Sequence, residues 1–300
     1  MKNTVIVPLG RYIDPLTDFG FKRIFASESH KDLLIAFLNA LFQGRKKICA
    51  MVYNPQENNG PARHHRKTIF DLTCTGPDGE TFIIEVQRAG QKFFTDRALF
   101  YTACRLQEQG PKGNKHWDFE LKEVFFVGIM DFNFDHTSPG KYLHYVRPTE
   151  EETGNIFYNK LGLIFLELPN FNLRENDLNT DLKRWLYVLR NMAKLEKIPV
   201  NLHKATFQKL FKLAEVSNLK KEEYMLYQKD VLDKWTEYSV LKTAEEKGIA
   251  EGEVLGKAKG KAEVVANLIT KFGFTNEQAV NAAEVSLDFV KKVRASLKKK

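Results

Sequence analysis

Asp71, Glu85 and Gln87 are the residues of this chain best placed, by type and spacing, to do chemistry. They stand in IFDLTCTGPDGETFIIEVQ, residues 69–87, which reads as two short strands around the turn Pro77-Asp78-Gly79. Proline presets φ at the first turn position, Asp suits the second, and Gly accepts the left-handed φ of a bulged three-residue loop. Such a loop sets the register: Gly76 pairs with Glu80, Asp71 falls opposite Glu85, and Ile69 falls opposite Gln87. Alternation then puts Phe70, Leu72, Cys74, Phe82, Ile84 and Val86 on one apolar face, and Asp71, Glu85 and Gln87 on the other. Opposed side chains have Cβ atoms about 4.5–5.5 Å apart. Two carboxylates so placed repel each other, and a divalent cation between them reverses the sign. Mg²⁺ is held in this manner, by one or two carboxylates with waters and phosphate oxygens. An acidic pair on the solvated face of a hairpin is the competing reading, and a two-residue loop would part the charges.

The flanking stretches supply the elements that must position this pair. Residues 1–13 read as an extended arm. Thr17 is an N-cap with Asp18 in the first helical turn, where the helix dipole favours a carboxylate. TDFGFKRIF is then a short helix with Phe21, Ile24 and Phe25 as its apolar side, and KDLLIAFLNALF a second, ended near Gly44. In the polar loop 54–66, His64 and His65 have no partner at ligand spacing and read as solvated. A third helix is expected at about Phe93–Glu108. Arg97 and Tyr101, four apart, share one face of it, while Phe94, Ala98 and Leu106 suit packing. Strands follow at about Glu123–Asp131, Tyr142–Val146 and Leu161–Leu168. Helix, helix, strand, strand, helix, strand is the order of a mixed sheet between helices.

From about Leu178 the chain reads as wholly helical, with Trp185 and Trp235 as core residues. Gly248, Gly252, Gly256 and Gly260 recur every four residues. Each costs a helix about 1 kcal/mol relative to Ala. Residues 247–262 are therefore expected as a polar, weakly helical linker, with self-association the second reading. The interleaved Lys and Glu exclude a membrane Gly-x-x-x-Gly pairing. Three short helical runs close the chain, with Thr275 and Ser286 as N-caps, and resemble a helix-turn-helix unit with a basic end. The expected division is a core over 1–170, a helical extension over 171–246, the linker over 247–262 and a small helical tail over 263–300.

A net charge of +8 favours a polyanionic partner such as nucleic acid. The 43% apolar and 28% charged fractions are those of a soluble globular chain. Cys49, Cys74 and Cys104 are widely spaced and form no C-x-x-C, which fits a reducing cytoplasm better than a disulfide framework or structural zinc. The N-terminus lacks a signal-peptide apolar run. Val124–Met130 is too short to span a membrane and reads as a buried strand.

Four blocks in order, RYIDPLTDFGFKRIF, FDLTCTGPDGETFIIEVQ, FFTDRALFYTACRL and a Gly-rich charged tail, resemble the recombination-promoting nuclease / transposase family. That family belongs to the PD-(D/E)xK nuclease superfamily, and the resemblance covers roughly residues 11–265. It implies an α/β fold: a restriction-endonuclease-like core with a mixed central sheet flanked by helices, followed by an all-α C-terminal region. It implies a metal-dependent DNA endonuclease of low sequence specificity, associated with recombination or mobile elements, using Mg²⁺ or another divalent cation such as Mn²⁺. Asp71 and Glu85 match the two acidic positions, and Gln87 occupies the position of the superfamily Lys. Glu-x-Gln is usual in this family; Gln can orient a water but cannot take its proton. Asp18 matches an acidic residue brought by the first helix, with Asp14 its rival. Arg97 and Tyr101 match an R-x-x-x-Y on the helix after the core strands. The metal set so implied is Asp71, Glu85, the Val86 carbonyl and Asp18, with Arg97 and Lys22 on the phosphate. DNA is the expected partner, no membrane is involved, and a homodimer would form through the helical C-terminal region. A non-catalytic nucleic-acid-binding or assembly protein of the same fold, or an RNA nuclease, are the competing classes.

Overall fold

The computed structural model describes residues 9–54, 57–58, 68–69, 71–111, 117–135 and 137–297. Its helices are α1 (Asp18–Phe25), α2 (Lys31–Phe42), α3 (Phe94–Gln107), α4 (Asp181–Asn191), α5 (Ala205–Ala214), α6 (Lys221–Phe272), α7 (Asn276–Ala283) and α8 (Leu287–Leu297). The strands are β1 (Val52–Tyr53), β2 (Glu57–Asn58), β3 (Thr68–Ile69), β4 (Leu72–Thr75), β5 (Thr81–Gln87), β6 (Val124–Met130), β7 (Leu143–Val146) and β8 (Leu161–Glu167). The chain divides into two units, residues 1–235 and 236–300.

The first unit is built on a six-stranded mixed sheet in the order β1-β4-β5-β6-β8-β7. β5, β6 and β8 run parallel in its middle, while β4 and β7 flank them antiparallel. Every residue of β6, VFFVGIM, is buried. A parallel strand covered on both faces has no solvated side, which is why its sequence is an unbroken apolar run. One face of the sheet carries Leu72, Cys74, Phe82 and Ile84 into a large core with residues of α1, α2, α4 and α5. Tyr12 and Ile13, expected in an extended arm, belong to this core, and the Ile13 N–H donates to Ala214 O. The other face packs Ile83, Phe126 and Phe165 against Phe94 and Ala98 of α3.

The β4–β5 hairpin has the expected three-residue loop. The Gly76 N–H donates to Glu80 O at 2.8 Å, and Gly79 takes φ +84°. Leu72 opposes Ile84 and Cys74 opposes Phe82, as the loop length requires. The ladder stops at Leu72, so Asp71 lies in a bend rather than at a ladder position. β3 pairs instead with β2, Ile69 opposite Glu57, and the expected Ile69–Gln87 pair is not formed. The cause is local: the Val86 N–H, which a continued ladder would give to a main-chain carbonyl, goes to the Asp71 carboxylate. Phe70, His64 and His65 lie outside the described residues. Nor is the acidic face of the hairpin solvated, because α3 covers it. Gly128, opposite Glu85 on β6, makes that cover possible: a Cβ there would lie 3.1 Å from the rings of Phe94 and Phe165.

α6 is continuous through residues 247–262, where a weakly helical linker was expected. Its four glycines meet nothing within 4 Å, so packing does not compensate for them. Helix propagation is cooperative, and the strong helix formers between them carry the turn forward. Trp185 is buried as expected, but Trp235 is 50% exposed rather than core. In the second unit Val265, Ala279, Val290 and Val293 form a separate small core. Among the described residues no helix is long and apolar enough to cross a membrane.

Candidate active site

Asp71 and Glu85 hold each other through their main chains. The Val86 N–H donates to Asp71 Oδ2 at 2.7 Å, and the Asp71 N–H donates to the Glu85 carboxylate. A strand residue's N–H and C=O point to the same side, so the Val86 carbonyl faces the Asp71 edge as well. Glu85 is only 6% exposed, and its Oε1 has no hydrogen-bond partner among the described residues. Burial, and then the Asp71 charge, push the Glu85 carboxyl from 4.5 up to about 8. Burial also raises Asp71; the Val86 N–H opposes that rise, and the Asp18 charge adds to it. An orphaned buried oxygen and two neighbouring carboxyls both raised by burial are the signature of a site short of positive charge. The donors are all oxygen, which suits a hard divalent cation such as Mg²⁺. Among the described residues no three His, Cys, Asp or Glu side chains close on one point, so the side-chain donors of this pocket are the Asp71–Glu85 pair.

α1 brings the next two groups. The Thr17 side chain caps it by accepting the Gly20 N–H at 3.0 Å, as the sequence suggested. Asp18 and Lys22, one turn apart, form an ion pair at 2.8 Å. Both act electrostatically on Asp71, Asp18 raising its pKa and Lys22 lowering it. The Asp18 side chain is 59% exposed and drawn to Lys22, which keeps it out of a closed three-carboxylate cluster. Its rival Asp14 is committed elsewhere: it accepts the Leu16 N–H at 2.9 Å and pairs with Lys234 at 2.8 Å. Beside Asp18 and Lys22 opens a cavity of about 490 Å³, walled also by Phe19, Leu213 and Leu226.

α3 covers the pair from the other side. Arg97 Nη2 lies 3.8 Å from Glu85 Oε2 and donates to Gln87 Oε1, while Nη1 donates to Gln91 Oε1 at 2.6 Å. The guanidinium rests over the Phe94 ring, 5.1 Å from its centroid. Gln87 Nε2 donates to Ala89 O at 3.0 Å, so both ends of this amide are engaged. Gln87, which the family resemblance expects to orient a water, has its amide against Arg97 in this structure. Tyr101, one turn beyond Arg97, is half-buried, and burial followed by the Glu85 charge raises its hydroxyl. The structure thus gathers Asp18, Lys22, Asp71, Glu85, Val86, Gln87, Arg97 and Tyr101 in one region.

One set of residues escaped the sequence reading. Glu223, Tyr227, Asp230 and Lys234 are spaced four, three and four apart, which puts them on one face of α6. All four bind α1 or the segment leading into it. Glu223 pairs with Arg23 at 2.7 Å, and the Tyr227 hydroxyl accepts the Asp14 N–H at 2.7 Å. Asp230 accepts the Phe19 N–H at 2.6 Å, putting a carboxylate at the positive end of α1. Lys234 joins Asp14 to Asp131, which it approaches at 3.5 Å, and the Asp131 N–H donates to Gln87 O at 2.9 Å. The signal was the helical spacing of polar residues in a segment read only for its apolar ones.

No curated protein and no solved structure matches the chain. The family model described as PD-(D/E)XK nuclease family transposase matches residues 15–244. That span runs from α1 through Lys234, so it takes in the acidic pair, both covering helices and the polar face of α6. A mixed sheet with its acidic pair at the end of a central strand, matched over most of the chain, places this protein in the PD-(D/E)XK nuclease family transposases.

Proposed function

We propose that this protein is a Mg²⁺-dependent endodeoxyribonuclease that hydrolyses DNA phosphodiester bonds in the cytoplasm with little sequence preference, in recombination or mobile-element movement. The observation that carries the reading is the reciprocal anchoring of Asp71 and Glu85, with a buried Glu85 oxygen left without a partner. Mn²⁺ is chemically suited to the same oxygen donors. The bound cation would lower the pKa of a water and neutralise charge on the scissile phosphate. Asp71, Glu85 and the Val86 carbonyl would hold it, and Asp18 would reach it through a water. Lys22, half-buried and near enough to Asp71 to lower its pKa, binds a phosphate oxygen of the substrate. Arg97 supplies the charge that lets buried Glu85 ionise, and Gln87 holds Arg97 in place. Because Gln87 cannot accept a proton, the attacking water gives its proton to a phosphate oxygen of the substrate. Low sequence preference follows from contacts that are all to phosphate.

The test is nicking of supercoiled plasmid by wild type, Asp71→Ala and Glu85→Gln, each with Mg²⁺ and with chelator. Wild type alone should cut, and only with the cation. Equal cutting by either variant removes these residues from the mechanism. Binding without cutting under Mg²⁺ or Mn²⁺ makes the protein a nucleic-acid-binding or assembly factor, and cutting of RNA with DNA left intact changes the substrate.

A further inference from the structure

Every residue from 238 to 261 of α6 is exposed, so among the described residues nothing packs on this stretch. Its four glycines meet nothing within 4 Å, and Tyr238, Leu241, Ile249 and Leu255 are between 46% and 69% exposed. A solvated helix is held by ion pairs four residues apart. Among the described residues this stretch has two, Lys242 with Glu246 at 4.0 Å and Glu253 with Lys257 at 3.9 Å, both at the limit of contact. Two such pairs do not offset four glycines in a helix interior.

The same stretch is complementary to its own reverse. Leu241, Glu245, Gly248, Gly252, Leu255 and Lys259 follow at alternating steps of four and three, the spacing that keeps one stripe facing a partner helix. Run antiparallel about residue 250, two copies set Gly248 opposite Gly252, Glu245 opposite Leu255, and Leu241 opposite Lys259. The glycines let the two backbones approach at the centre. On either side the Lys259 stem covers Leu241, and its ammonium, one turn from Leu255, reaches Glu245 of the other copy. Among the described residues neither Glu245 nor Lys259 has an ion pair within the chain. Charge along the helix is divided in the same sense. From 242 to 253 four Glu stand against two Lys, and from 254 to 261 three Lys stand against no acid. Parallel pairing would set Glu245 on Glu245 and Lys259 on Lys259; antiparallel pairing sets opposite charges together.

We propose that two copies of this chain pair through residues 238–261 of α6, antiparallel, about a twofold axis near residue 250. Such an interface is isologous, so each contact occurs twice. The pairing goes beyond the cleavage reading and does not rest on it, since it needs neither the cation nor Asp71 or Glu85. Two copies carry two acidic pairs, the number that cutting both strands of a duplex requires.

The test is sedimentation equilibrium of the full chain in chelator, at micromolar concentration, for wild type, Glu245→Lys, Lys259→Glu and the double variant. Wild type should be a dimer. Each single reversal turns two attractions into two repulsions and should weaken the dimer by about tenfold. Glu245→Lys/Lys259→Glu should restore it, as should an equimolar mixture of the two single variants. That rescue also shows that the single variants still fold. A monomeric wild type overturns the proposal. So does a dimer that the single reversals leave intact, or one that the double variant fails to restore. A protein that dimerises in this way but never cuts removes the nuclease reading and leaves this one. One that cuts as a monomer does the reverse.

Discussion

Lys234 Nζ lies 2.8 Å from Asp14 Oδ2, although 220 residues separate the two in sequence. The same ammonium faces Asp131, whose carboxyl is raised by burial and lowered again by Lys234. Lys234→Met therefore leaves two partly buried carboxylates facing each other without a cation. We expect a loss of roughly 2 kcal/mol in denaturant unfolding. Lost turnover should accompany it, because the segment that carries Asp18 is released. Lys234→Arg should keep both. Unchanged unfolding in Lys234→Met would show that the bridge contributes nothing.

Glu85 gives the metal-free protein a pH dependence of unusual sign. Its folded carboxyl titrates at about 8 and its ordinary value is 4.5, so between these the folded chain holds a proton that the unfolded chain has lost. Stability from this group is complete below about 4.5 and declines as pH rises through about 8. Glu85→Gln, which never ionises, should abolish that decline while abolishing cutting. Thermal midpoints in chelator across this window decide it, and parallel curves for wild type and Glu85→Gln would refute the buried-carboxyl account.

Cation binding to the pair should displace that proton. Apparent Mg²⁺ affinity should rise with pH until Glu85 is ionised, near 8, and then level off. Calorimetric titration in buffers of different ionisation enthalpy measures the proton released. Release of none at neutral pH would argue that Glu85 is not a ligand.

Arg97 and Gln87 act on Glu85 in series. Arg97→Met removes the positive charge nearest Glu85 and should move the alkaline-rising limb of the pH–rate profile higher. Gln87→Ala frees Arg97 without removing its charge, and should lower turnover by about tenfold, in the range of lost supporting contacts around a metal. A Gln87→Ala enzyme as impaired as Asp71→Ala would mean that the amide meets the substrate directly.

Gly128→Ala tests the seating of α3. The added methyl meets Phe94 and Phe165 at 3.1 Å, within a close-packed layer. Overpacking of this kind costs about 1–3 kcal/mol. Chemical denaturation should show that loss together with reduced activity, since Phe94 also supports Arg97. Full stability would mean that the helix shifts freely.

Local chemistry was legible in the residues themselves. Pro77-Asp78-Gly79 specifies a loop length, and loop length with strict alternation specifies the register that pairs Leu72 with Ile84, next to Asp71 and Glu85. Thr17 announces the start of α1, and the apolar run of β6 announces a strand buried on both faces. These are short-range effects of backbone sterics and hydrophobic periodicity, and each can be read from a few neighbouring letters. Burial of Glu85 under α3, commitment of Gln87 to Arg97, and the reach of Lys234 to Asp14 are not of that kind. They join segments tens to hundreds of residues apart, and a polar side chain's partner depends on which surface the packing of the apolar ones sets beside it. Sequence alone determined which groups could form the site; tertiary packing decided which of them are buried, charged and held, because those properties belong to the surroundings and not to the residue.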